Sequence, residues 1–198
     1  MYAYAGNNPV RYIDPDGNTV KSALKLIKKH REQIILTATL FDIDSVGIAS
    51  VIFQEKYHGI FADLKDLGSF ILDRGVNDKT SPTRSYGLAE MQLSLAADIW
   101  GLDENVSGRN EKAYNLLKDD NTSIALIAAY IKMNEKTLGR KLKGADAAGA
   151  HNMGASMYKA VLDGKRNKSR VAKRSVLYQK AINDALQGKI DIRKDNER

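Results

Sequence analysis

Glu55 closes a nearly continuous apolar run in DSVGIASVIFQEKYHG, residues 44–59, which breaks at Gly59. Val46, Ala49, Phe53 and Tyr57 recur at helical spacing. Ile52, Val51 and Ile48 lie three, four and seven residues before the glutamate, so the helix is apolar almost all round and belongs inside a domain. A carboxyl group in that setting resists ionisation, and a neutral carboxylic acid is what a general acid must be. The plainer reading is that Glu55 marks the helix end and reaches solvent, or pairs with Lys56 or His58. Two further groups follow in the chain: Ser85-x-Gly87, where the missing side chain lets backbone approach a neighbour or an extended ligand, and Asn152-x-Gly154. Asn152 has a plainer reading too, as a cap within a helix. The three histidines, His30, His58 and His151, show no metal-ligand spacing, and cysteine is absent, so neither a metal nor another cofactor is expected.

These groups sit in a chain of 198 residues, enough for one good-sized domain with a tail or two small ones. The formal charge of +7 favours contact with a polyanion, whether nucleic acid, an anionic membrane surface or an acidic cell-wall polymer. Without cysteine there are no disulfides and no thiol nucleophile. No apolar run is long enough to span a membrane. The opening residues are polar, turn-rich and broken by prolines, unlike a secretory signal.

The elements that must position the chemistry are mostly helices. YAYAGNNPVRYIDPDGN, residues 2–18, reads as two turns flanking a short extended piece that cannot bury itself. Residues 19–41 read as one basic helix, with Val20, Leu24, Ile27, Ile34, Ile35 and Leu36 as its apolar stripe and Lys21, Lys25, Lys28, Lys29, His30 and Arg31 around it. Asp42 and Asp44 offer N-caps for the Glu55 helix. A further helix is expected over residues 61–72, then a polar loop over 76–84. From Leu88 onward Met91, Leu95, Ile99 and Trp100 are helically spaced, and Gly101 caps them. Residues 103–119 are polar with one apolar patch, and residues 124–133 form a strongly apolar helix. GADAAGAHNMGASMY, residues 144–158, has the small residues that allow tight helix packing around His151 and Asn152. A basic linker over residues 165–174, an amphipathic helix over 176–186 and a charged tail complete the chain. Beyond the first 18 residues nothing reads as strand-rich.

The opening stretch resembles the end of the core of RHS-repeat (rearrangement hotspot) proteins, whose tyrosine-rich shell ends in a Pro-x4-Asp-Pro-x-Gly motif matched here by Pro9, Asp14, Pro15 and Gly17. That resemblance implies a variable C-terminal toxin following the motif, often released by self-cleavage; Asn18 stands where the family usually has leucine. The expected organisation is an RHS-core end over residues 1–18, a catalytic domain over 19–164 and a linker, helix and charged tail over 165–198.

Residues 44–158 resemble the lysozyme-like fold shared by soluble lytic transglycosylases and goose-type lysozymes. Four motifs carry the likeness in order: the helix ending at Glu55, Gly87-Leu88-Ala89-Glu90 with Ala96, Asp120-Asn121 followed by Ile124 and Ala128, and Ala150-His151-Asn152-Met153-Gly154. Three positions depart from the family. Glu90 replaces a substrate-contacting glutamine, with Gln92 two residues on as its substitute; His151 replaces a tyrosine that helps hold the acid; Lys56 replaces a serine. A protonated His151 or Lys56 close to Glu55 would lower its pKa and oppose its use as an acid, unless geometry keeps them apart.

The resemblance implies cleavage of the β-1,4 bond between N-acetylmuramic acid and N-acetylglucosamine, with Glu55 protonating the leaving oxygen. A second carboxylate orienting water gives hydrolysis, and Asp78, then Asp73, are the candidates, with turn chemistry as their plainer reading. Without one, the muramic acid 6-hydroxyl attacks and a 1,6-anhydro product forms. Ser85, Gly87, Glu90, Gln92, His151 and Asn152 would line the glycan cleft. The implied setting is a secreted effector delivered to a rival's periplasm by a secretion system or RHS shell, with a cognate immunity protein as partner. Two other readings stand beside it. A nuclease would suit the basic stretches near Lys25 and Arg170 but lacks a metal cluster or histidine pair. A wall-binding module without activity would have no need of Glu55.

Overall fold

The computed structural model describes residues 18–57, 81, 85–105, 107–168 and 170–189. The chain is mainly helical. Ten helices and one hairpin occur among the described residues: α1 Asn18–Lys29, α2 Arg31–Phe41, α3 Ser45–Lys56, β1 Ser85–Tyr86, β2 Met91–Gln92, α4 Leu93–Trp100, α5 Arg109–Lys118, α6 Asp120–Leu138, α7 Ala145–Met153, α8 Ala155–Leu162, α9 Arg170–Leu177 and α10 Gln179–Leu186. The RHS-like stretch apart from Asn18, the expected helix over residues 61–72, the candidates Asp73 and Asp78, and the charged tail beyond Lys189 lie outside the described residues.

Helix α3 is the axis of the fold, as its all-round apolar sequence requires. Every residue from Gly47 to Gln54 is buried, and α1, α2, α6, α7, α9 and α10 all pack against it. Such a helix gains its stability from burial rather than from an amphipathic face. Its start is fixed by Asp44, whose carboxylate accepts from the Val46 N–H at 3.4 Å and from the Gly144 N–H at 2.7 Å. One aspartate thus caps α3 and ties down the chain just before α7. Asp42, the other expected cap, instead ends α2 in a left-handed conformation (φ 49°). Its carboxylate lies 2.6 Å from Lys141 Nζ and 3.3 Å from Lys132 Nζ, and these ammonium groups hold its pKa below the usual carboxylate value.

The stretch read as one basic helix is two, separated at His30. The buried stripe runs in phase across the break, through Ala23, Leu24, Ile27, Ile34 and Ala38. Ile35 and Leu36, expected within it, face solvent at 47% and 54% exposure, because they lie about 100° and 200° around the helix from Ile34.

Residues 85–92 form an antiparallel hairpin rather than the start of a helix, pairing Ser85 with Gln92 and Tyr86 with Met91. Gly87 (φ 80°) and Glu90 (φ 44°) make the reversal, and the helix begins only at Leu93. Gly101 does cap it, in a left-handed conformation. The polar segment after it yields α5, and the apolar helix expected over 124–133 extends to Asp120–Leu138, capped by Asp119 through the Thr122 N–H at 2.7 Å. The stretch read as a basic linker turns helical at Arg170, and α9 and α10 send Ala172, Ile182, Ala185 and Leu186 into the same core.

Candidate functional site

Glu55 lies in the last turn of α3, where the buried helix comes out of the core. Phe53 and Gln54 before it and Tyr57 after it are buried, whereas the Glu55 side chain is 19% exposed. The carboxyl is therefore partly sheltered with one side open. The end of α3 that carries it is held from below by aromatic packing: Phe53 stacks on Tyr57 at 5.5 Å, Tyr178 tilts against both, and Arg174 of α9 caps the Tyr57 ring at 4.5 Å while donating to the Tyr57 carbonyl.

His151 reaches this carboxyl from α7. Its Nδ1 stands 3.7 Å from Glu55 Oε1, and its side chain is only 8% exposed. Burial pushes the imidazole pKa down to about 4, so at neutral pH the ring is uncharged and adds no cation beside Glu55. Its Nε2 is buried without a hydrogen-bond partner. Tyr130 of α6 meets the ring edge-on at 5.4 Å, and its own phenol is pushed up by burial. Three devices hold α7 in place: the Gly144 N–H bond to Asp44, Gly149 lying so close to the Tyr158 ring that no side chain fits between, and the Tyr158 hydroxyl donating to Asp146 at 2.6 Å. The small residues of residues 144–158 therefore serve packing, as the sequence suggests.

Lys56 joins this pair to the hairpin. Its ammonium donates to the Gly87 carbonyl at 3.0 Å and lies 4.0 Å from the Glu90 carboxylate. The turn is also seated on the junction of α5 and α6. The Leu88 N–H donates to Ser123 Oγ at 2.9 Å, and a Cβ on Gly87 would stand 2.6 Å from that oxygen and 2.8 Å from the Leu117 carbonyl. Tyr86 packs edge-on against Tyr114 at 4.7 Å.

Consecutive residues of α3 thus make two contacts, Glu55 with His151 of α7 and Lys56 with Gly87 and Glu90 of the hairpin. Ser85 and Gln92 are exposed cross-strand partners at the base of the same hairpin. Asn152 is exposed beside His151. Asp78 lies outside the described residues. Sequence reading missed Tyr130 and Ser123. Tyr130 looks like any core aromatic of α6, and Ser123 has only its polarity within an apolar run to distinguish it. No group of three or more His, Cys, Asp or Glu side chains that could hold a metal occurs among the described residues.

No family model matches the chain, and neither a curated protein nor a solved structure matches it.

Proposed function

We propose that this chain is a peptidoglycan-cleaving glycosidase of the lysozyme-like type, with Glu55 as its general acid. The observation that carries the reading is the contact of a partly sheltered carboxyl with a buried, uncharged imidazole, His151 Nδ1 to Glu55 Oε1 at 3.7 Å. A general acid needs a proton to give at working pH, and a neighbour that stays neutral does not pull that proton away. Lys56, the cation next in sequence, is engaged with the Gly87 carbonyl and approaches Glu90. In this reading Glu55 protonates the glycosidic oxygen of the departing sugar, and the anomeric carbon develops oxocarbenium character. The hairpin turn and the exposed Ser85, Gln92 and Asn152 offer polar groups to the glycan. The net charge of +7 favours an anionic wall. Delivery to a rival's periplasm and a cognate immunity protein belong to the same proposal and rest on the RHS-like motif of residues 2–18.

The test is mass spectrometry of the soluble products released from bacterial peptidoglycan, with Glu55→Gln in parallel. Muropeptides with a reducing end identify a hydrolase, and 1,6-anhydro products a lytic transglycosylase; either must vanish in the variant. Absence of soluble products from the unaltered protein rejects the proposal.

A further inference from the structure

The ends of α2, α4 and α6 border an open groove of about 630 Å³ that shares no lining residue with the Glu55 contacts. Phe41, Ile99, Ala129 and Met133 contribute its apolar wall, with Met133 48% exposed. Two more large apolar side chains adjoin it in sequence: Leu40, 74% exposed beside Phe41, and Trp100, 49% exposed beside Ile99. A cluster of this kind on a surface marks an interaction site more often than chance.

The rim is cationic. Lys132, Lys136, Arg140 and Lys141 all line the groove. Lys132 and Lys141 are partly spent on Asp42 and Glu135, but Lys136 and Arg140 have no carboxylate partner among the described residues. Glu135, the acidic group in the lining, is buried and engaged, accepting from the Leu142 N–H at 2.9 Å. The surface therefore combines an apolar floor with uncompensated positive charge along its edge.

That combination selects among occupants. A second copy of this chain would bring another +7 molecule against a positive rim. A nucleic acid strand would find cations and a single lining ring, Phe41, rather than the succession of aromatic rings on which consecutive bases stack. A small metabolite is normally fixed by a few converging polar groups, which this floor does not offer. A peptide segment with apolar side chains for the floor and carboxylates for the rim satisfies both features at once. We propose that this groove is a docking site for an acidic protein segment carrying apolar anchor residues, separate from the Glu55 site and independent of the reaction performed there.

The experiment selects binders from a random-peptide library on the intact protein and measures synthetic, tryptophan-free versions of the recovered peptides by the fluorescence of Trp100, the single tryptophan of the chain. Binding is compared in Met133→Glu, in the double variant Lys136→Glu/Arg140→Glu, and in Glu55→Gln. The altered groove side chains are exposed, so circular dichroism and thermal unfolding should match the unaltered protein. The expected result is a set of peptides with Asp or Glu flanking Leu, Ile, Phe or Met, whose affinity falls at least about tenfold in both groove variants. It should weaken with added salt and be unchanged in Glu55→Gln. Recovered peptides that are basic, or that bind the groove variants as well as the unaltered protein, overturn the proposal. So does groove-dependent binding to phosphatidylglycerol vesicles without any to acidic peptides, which makes the occupant a membrane surface. Self-association abolished by Met133→Glu, again without acidic-peptide binding, makes it a second copy.

Discussion

Substituting Glu55 by glutamine removes the transferable proton while keeping size and polarity, so wall digestion should fall by about 10²–10⁴-fold, the usual worth of a positioned acid. The melting temperature should be retained, because the side chain already reaches solvent in part. His151 calls for a different kind of test. Its folded pKa of about 4 lies below the ordinary 6.5, so between those values the unfolded chain binds a proton that the folded chain does not. Its neutral burial therefore supports the fold fully above pH 6.5, and that support drains away as pH falls toward 4. The loss amounts to at most about 3 kcal/mol, less whatever the nearby Glu55 carboxylate returns by attracting the imidazolium. Urea unfolding across this pH range should show a slope for the unaltered protein that His151→Phe reduces; equal slopes would mean that His151 titrates normally. In the reaction, His151→Lys should do the reverse of neutral burial: a cation beside Glu55 favours its ionised form, shifting the alkaline limb of the pH–activity profile to lower pH and lowering activity near pH 7 by about tenfold or more.

Between elements, the hairpin turn and the Asp44 bridge are the joints on which the site depends. Gly87 has φ 80° and leaves no room for a Cβ between Ser123 Oγ and the Leu117 carbonyl. Gly87→Ala should cost about 2–3 kcal/mol from left-handed strain and the clash, and activity should fall further than stability, because the turn holds Glu90 and receives Lys56. Asp44→Ala removes a cap and the acceptor for the Gly144 N–H together, an expected loss of about 2 kcal/mol read by chemical denaturation. These joints also separate what the sequence discloses from what it hides. The Glu55 helix was legible because burial on every side writes a continuous apolar run, and Gly87 because a lone small residue in a polar-to-apolar transition signals a close approach. The hairpin was not, since two-residue strands are too short for an alternation to register. The His30 break left the phase of the stripe intact, so no periodicity could betray it. The approach of His151 to Glu55 is a tertiary contact between residues 96 positions apart, for which the chain offers only residue types and a resemblance.

For the molecule as a whole, the question is whether the last two described helices are an appendage or part of the body that holds Glu55. A basic stretch followed by a short amphipathic helix reads as an appendage, because net charge and length dominate its pattern. Its burial argues otherwise. Ala172, Ile182 and Ala185 are fully buried and Leu186 nearly so, α10 packs on α1 and α3, and α9 packs on α7 and α3. Arg174 lies over Tyr57 two residues beyond Glu55, and Gln179 accepts from the Ala145 N–H at the start of α7. Both helices thus brace the two elements that supply the Glu55–His151 contact, one at each. Ending the chain after Lys168 should therefore expose apolar faces of α1, α3 and α7 and abolish the single cooperative unfolding transition, read by differential scanning calorimetry. Arg174→Ala should keep the transition and lower stability by about 1 kcal/mol, the scale of one cation–π contact with its hydrogen bond. If the shortened chain instead unfolds cooperatively at an unchanged temperature, α9 and α10 are dispensable and the body that holds Glu55 ends before them.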